Sequence, residues 1–276
     1  MLNINTNYAA AFASNAAKSA SGGLNSAMEK LSTGSRINYA KDDAAGQAIS
    51  TRLSAEIQGL SMASRNAADA QSMVDTAEGA MQEVHTILLR MRELAVQSAN
   101  GTLTNTDRDH TDAEFQHLEA EITRISDNTK WAGKGLIDGS LSTGSAISFQ
   151  IGEGANQTIA VTIANFAATA PAISTVNQGV STATKAQASI TRLDTAIANV
   201  SSERGKLGAV SNRLTSTINN LDQINVNLSA SKGRIEDADF AAETGNLAKG
   251  QILQQAATAM LAQANASKQQ VLTLIQ

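Results

Sequence analysis

Apolar side chains recur at alternating spacings of three and four residues through the first half of the chain, at Leu60, Ala63, Ala67, Ala70, Val74, Ala77, Met81, Val84, Leu88, Met91 and Ala95. A repeat averaging about 3.5 residues keeps one stripe of an α-helix facing a partner helix, so the run predicts a coiled-coil seam. Ile49, Leu53 and Ile57 extend it upstream with a stutter. The spacing predicts a single helix over 43–100, started by the negative charge of Asp42 and Asp43 and stopped at Asn100-Gly101. A second helix is predicted from Asn105 or Thr106 to Asp127, with Phe115, Leu118, Ile122 and Ile125 on one face, folding back on the first.

The period changes after Thr129. Glycines cluster at Gly133, Gly135, Gly139, Gly144, Gly152 and Gly154, and two runs alternate apolar with polar, over 146–151 and 158–163. Alternation places every second side chain on one face of a strand, so these runs predict a β-hairpin near 145–164 turning at Gly152 to Asn156. After Pro171 a third long helix is expected over 174–231, with Ile190, Leu193, Ile197, Val200, Leu207, Val210, Leu214, Ile218, Leu221 and Leu228 on its apolar face, ending around Ser231-Lys232-Gly233. The expected fold class is mainly α: a long antiparallel helical coiled-coil bundle with a small β-hairpin.

The two ends behave differently from the middle. Residues 1–28 carry only Lys18 and residues 250–276 only Lys268, in a chain that is 17% charged overall. Both ends are built from Ala, Ser, Asn, Gln and Thr with scattered larger apolar residues, too apolar for a solvated tail and too weakly amphipathic for a lone helix. Ordering about 55 such residues costs roughly 1–2 kcal/mol each for the backbone, so extensive burial is required. The ends are therefore expected to be disordered in the monomer and ordered in an assembly. The candidate self-assembly residues are Leu2, Ile4, Leu24, Met28, Leu31, Ile252, Leu253, Met260, Leu261, Val271, Leu272 and Leu274. The expected division is 1–42 and 233–276 as the two parts of one terminal domain, with 43–232 as a central helical domain.

Composition agrees with helices and narrows the function. The 276 residues include 49 alanines, 8 aromatic residues and a single proline, which favours closely packed helices over a thick, ring-filled core. A net charge of -4 supplies no clustered cationic surface for nucleic acid. The absence of Cys removes disulfides, thiolate metal sites and thiol catalysis. No run is long and apolar enough for a membrane span, and the N-terminus lacks the basic start and apolar core of a general secretory signal.

Candidate chemistry is sparse. His110 and His117 lie among Asp107, Asp109, Asp112 and Glu114, where acidic residues complement a helix N-terminus, and His85 sits beside the seam without a metal-binding pattern. Gly133-Lys134-Gly135 and Gly152-Glu153-Gly154 lack the full spacing of a phosphate loop. No nucleophile motif occurs, so neither an enzyme, a cofactor nor a metal is expected.

Several stretches are more specific. INTN (4–7), RINYAKDDAAGQAIS (36–50), ASRNA (63–67), RELAVQSAN (92–100), RIEDADFA (234–241) and QILQQAATAMLAQAN (251–265) together resemble bacterial flagellin, in order and across both ends. The short middle resembles a minimal member without large variable outer domains. Trp131-Ala132-Gly133 stands where the family usually has Phe-Asn-Gly, and Leu89 where Gln is common. The resemblance implies a secreted filament subunit of the extracellular flagellum. Its termini pair as an α-helical coiled coil in the assembled filament, and it is exported unfolded through the flagellar type III channel. Implied partners are the chain itself in a helical homopolymer, an export chaperone, and the filament cap and hook-filament junction proteins. Toll-like receptor 5 is implied through matching positions Arg90, Leu94 and Glu114. A hook-filament junction protein is the alternative the resemblance leaves, and a signalling coiled coil is disfavoured by the uncharged ends.

Overall fold

The computed structural model describes residues 6–141, 146–168, 170, 173 and 179–273. Nine elements follow in order: α1 (Tyr8–Thr33), α2 (Ala44–Ser98), α3 (Asn105–Asn128), β1 (Lys130–Trp131), β2 (Lys134–Gly135), β3 (Ile147–Gln150), β4 (Thr158–Val161), α4 (Ala183–Glu236) and α5 (Phe240–Thr273). They form two compact units, Gln58–Asn225 and the combination of Met1–Ile57 with Val226–Gln276. The boundaries fall inside α2 and α4, whereas the expected division places them after residues 42 and 232.

In the central unit the predicted stripe is the buried one: all eleven positions from Leu60 to Ala95 lie in the core. The central part of α4 runs antiparallel to α2, as three polar contacts show: Arg92 to Asp194 at 2.6 Å, Arg204 to Glu78 at 2.7 Å, and the Ser64 hydroxyl donating to Asp222 at 3.1 Å. On α4, Leu193, Val200, Leu207, Leu214 and Leu221 are buried, whereas Ile190, Ile197, Val210, Ile218 and Leu228 are half-buried. The remaining seam positions are Ala186, Ser189, Ala196 and Glu203, which an apolar face read from large residues does not reveal. Glu203 is tolerated in the seam because its carboxylate accepts from the Ala164 backbone N–H at 3.3 Å and from Lys206 at 2.8 Å.

α3 opens with a capping box between Thr104 and Asp107 and buries Phe115 and Ile122. Arg108 lies beneath the end of α2, donating to the Ser98 and Asn100 carbonyls at 2.9 Å each, where the helix leaves acceptors unpaired. The hairpin forms as β3 and β4, pairing Ile147 with Val161 and Phe149 with Ile159 so that alternate side chains turn to the core. A second, smaller hairpin of β1 and β2 went unanticipated because each strand is two residues long and shows no alternation.

Three expectations need correcting. The break placed at 231–233 lies at Asp237 to Asp239, because α4 continues through Gly233 to Glu236. The third helix is placed from Ala183 rather than Ser174, and positions 174–178 lie outside the described residues. Ile49, assigned to the seam, is 41% exposed, the stutter having turned it off the face that buries Leu53.

Candidate assembly surface on the terminal helix pair

The two uncharged ends form α1 and α5, which pair antiparallel. Lys30 meets Glu243 at 3.1 Å near one end, and near the other the Asn7 amide donates to the Ala264 carbonyl at 3.1 Å. Asn7 also caps α1, its side-chain oxygen accepting from the Ala10 N–H at 3.1 Å. The seam recurs at three and four residues on both helices: Ala10, Ala13, Ala17, Ala20, Leu24, Ala27 and Leu31 face Leu247, Gly250, Gln254, Ala257, Leu261 and Ala264. Gly250 sets the approach, since a Cβ there would lie 3.3 Å from Cβ of Leu24. Hydrogen bonds from Asn246 and then from Lys30 hold the Glu243 carboxyl below the usual carboxylate range.

The seam is thin. Among the described residues its buried hydrophobic positions are four alanines, Ala13, Ala27, Ala257 and Ala264. Its leucines are only half-buried, and several large side chains point elsewhere: Phe12 is 78% exposed, Ile252 65% and Met260 63%, and Tyr8, Phe240, Met28 and Leu253 are exposed too. A groove follows one side of the pair as two openings that share Ala16 and Leu253. One is about 430 Å³, flanked by Phe12 and Met260. The other is about 500 Å³, running past Gly23 to Lys30 and Glu243. Exposed knobs beside holes lined by small residues are what interdigitating helices present to a further partner.

The expected assembly residues divide by this geometry. Leu24, Leu31 and Leu261 are half-buried in the seam, whereas Met28, Ile252, Leu253 and Met260 are exposed. Leu2, Ile4 and Leu274 lie outside the described residues, and of Val271 and Leu272 only the helical backbone is described. Sequence reasoning missed Tyr8, Phe12 and Phe240, although three of so few aromatic residues falling in or beside otherwise alanine-rich ends was a legible signal.

The three receptor-matched residues separate as well. Arg90 and Glu114 meet on an exposed surface, Nη2 to Oε1 at 2.8 Å and Nε to the same oxygen at 3.0 Å, with Glu93 at 3.1 Å from Arg90. Leu94 is 1% exposed and belongs to the core of its own chain. Among the described residues no cluster of three or more His, Asp or Glu could hold a metal, and no helix is long and apolar enough to cross a membrane.

Comparison with known proteins gives this architecture its class and then its family. The fold is shared with a putative flagellar hook-associated protein from Vibrio parahaemolyticus, at a TM-score of 0.60 and 16% identity over 71% of this chain and 100% of that one. It is shared as well with the flagellin of Bacillus cereus, at a TM-score of 0.50 and 32% identity over 57% of this chain and 88% of that one. The protein is thus built on a fold found in flagellar proteins. The sequence is more specific: residues 4–141 match the bacterial flagellin N-terminal helical region and residues 190–275 the C-terminal helical region. Flagellin of Halalkalibacterium halodurans is 45% identical over 90% of both chains, and that of Bacillus subtilis 41% identical over 99% of this chain and 100% of its own. The chain belongs to the bacterial flagellin family.

Proposed function

We propose that this chain is the structural subunit that polymerises into the bacterial flagellar filament for swimming motility. The observation that carries this is the mismatch on the terminal pair, where alanines fill the seam and Phe12, Ile252 and Met260 are left in water. Exposed apolar surface beside small-residue grooves gains from burial against further copies, and a contact repeated head to tail propagates as a helix rather than closing into a dimer. The relatives above 40% identity are flagellins, which disfavours the hook-filament junction alternative.

The finer reading follows the same logic. The subunit is secreted through the flagellar export channel, escorted by an export chaperone that covers the apolar ends, and is added beneath a filament cap beyond the hook-filament junction. Toll-like receptor 5 engages the exposed Arg90 and Glu114, with Leu94 packed beneath them as support. A reporter assay should show weaker receptor activation by Arg90→Ala, and unchanged activation would overturn that part.

The central test is electron microscopy of purified protein seeded with filament fragments. The full chain should grow long tubes, and chains lacking 1–33 or 240–276 should not. Tube growth by either truncated chain would refute the reading, and dimers alone from the full chain would do the same.

A further inference from the structure

A separate opening lies in the central unit, and nothing in the filament reading uses it. It is a shallow, open depression of about 450 Å³, lined by Asp69 and Met73 of α2, Trp131, Ala132 and Lys134 of the first hairpin, and Ile147 and Phe149 of β3. That volume falls in the range of small-ligand sites. Two of the chain's few aromatic rings are brought here from two different hairpins. Met73 is fully buried, while both rings are half-buried and packed against the core.

The polar groups at this opening are unused. Among the described residues Asp69 makes no ion pair or hydrogen bond, the Trp131 indole N–H has no acceptor, and the Lys134 ammonium has no partner. Asp69 stands one helical turn before Met73, on the rim, and Trp131 pairs with Lys134 across the β1–β2 ladder. A purely apolar ligand would leave Asp69 unexplained, and a metal ion would find one carboxylate where it needs several. Aromatic faces attract organic cations through their quadrupole, and a neighbouring carboxylate adds to the attraction. Lys134 opposes a bare cation but favours one that carries an anion close by.

We propose that this opening binds the quaternary ammonium of a choline headgroup. Its methyl groups lie against Trp131 and Phe149, its charge faces Asp69, and its phosphate meets Lys134. The chemistry is the same in free phosphocholine and in a phosphatidylcholine surface, and the experiment separates the two.

Trp131 is the chain's only tryptophan, so its emission in the full-length monomer reports binding directly, with no need for assembly. Titration with phosphocholine should change that emission saturably, and choline chloride should do so more weakly. Asp69→Asn, an exposed substitution that leaves helical circular dichroism unchanged, should weaken phosphocholine binding about tenfold. Lys134→Ala should abolish the preference for phosphocholine over choline while leaving choline binding in place. A matching shift with phosphatidylcholine vesicles, absent with phosphatidylglycerol vesicles, identifies a membrane source. A response to free phosphocholine without one to vesicles identifies the soluble ligand. Emission that stays flat with both choline and phosphocholine overturns the proposal, as does binding that Asp69→Asn leaves intact. Either result leaves the filament reading untouched.

Discussion

The central unit and the terminal pair use the same three-four repeat to opposite ends. In the central unit the repeat carries Val74, Met81, Leu88, Met91 and Leu193, joined by Met73, Phe115, Phe166 and Ile122, all essentially removed from solvent. Burying a large apolar side chain fully contributes about 1.5–3 kcal/mol, so this unit is held by its own contents. In the terminal pair the fully buried hydrophobic positions of the repeat are alanines, its leucines Leu24, Leu31, Leu247 and Leu261 are only half-buried, and Phe12, Ile252 and Met260 sit off the seam on the exposed surface. An alanine seam permits close backbone approach but returns little apolar burial against the entropy of ordering a long helix. The periodicity fixes pairing in both regions. Side-chain size decides which pairing is sufficient by itself.

The largest test of this contrast is a pair of truncations, one in the core of the central unit and one on the exposed surface of the terminal pair. Leu214→Ala, at a fully buried site in the central unit, should destabilise the monomer by about 2–5 kcal/mol in denaturant unfolding. Phe12→Ala should change the same measurement by no more than about 0.5 kcal/mol. Its effect belongs to assembly: the concentration needed for seeded growth should rise about tenfold or more, read by sedimentation of polymer. Monomer destabilisation by Phe12→Ala comparable to that of Leu214→Ala would erase the distinction.

Amide exchange sharpens it next. The backbone of α1 and α5 should exchange freely in dilute monomer and become protected in polymer, while the amides around Met81 and Leu88 stay protected in both. Protected terminal helices in the dilute monomer would mean that the thin seam is sufficient after all.

A smaller effect is expected within the central unit itself. Ala132 and Gly133 form the two-residue connection between β1 and β2 with φ of 48° and 81°, a turn that needs left-handed backbone at both positions. Alanine is strained there and asparagine tolerates it, so Ala132→Asn should stabilise by about 0.5–1 kcal/mol, measured as a rise in the unfolding midpoint.

The smallest test is a difference in the sign of a pH response. Burial, and then the Asp112 carboxylate, push the Glu119 carboxyl up, and its Oε1 is buried without a hydrogen-bond partner. A carboxyl whose folded pKa is raised takes its proton more readily when folded, so acidification through that value favours the fold of the central unit. Glu119→Gln should therefore stabilise at neutral pH, and the gain should fade as the solution approaches the ordinary glutamate range. Glu243 in the terminal pair is held low, so its contribution is present above the ordinary glutamate value and is lost as the pH falls through the depressed one. Melting curves across mildly acidic pH, of monomer for Glu119→Gln and of polymer for Glu243→Gln, should diverge in direction, and a shared direction would contradict these assignments.

Most of the architecture was legible because repeat length and side-chain chemistry are local properties. The eleven seam positions of α2, the boundaries of α3 within a residue or two, and the pairing of β3 with β4 follow from spacing alone. What escaped had no periodic signature. The β1–β2 hairpin is too short to alternate, Glu203 is a charged residue in a seam read by apolarity, and Gly233 did not end α4 because the chain turns only at Asp237, where Ser35 and Asp237 form an isolated bridge. At the candidate surface the sequence picked out Met28, Ile252, Leu253 and Met260 as large apolar residues in uncharged ends. It could not tell which of the twelve would fill the seam and which would face outward, and it passed over Phe12.

By itself, then, the sequence determined that the chain makes long helices with heptad-like stripes, that its ends carry almost no charge, and that it resembles flagellin, since each is written in residue type and order. Only the tertiary structure decided that alanines take the fully buried seam positions while Phe12, Ile252 and Met260 face out, that Leu94 turns inward while Arg90 and Glu114 remain on the surface, and that Trp131, Phe149 and Asp69 line one opening. The reason is geometric. A stripe states which residues share a face, but which neighbour covers that face depends on helix rotation and on contacts between segments far apart in the chain.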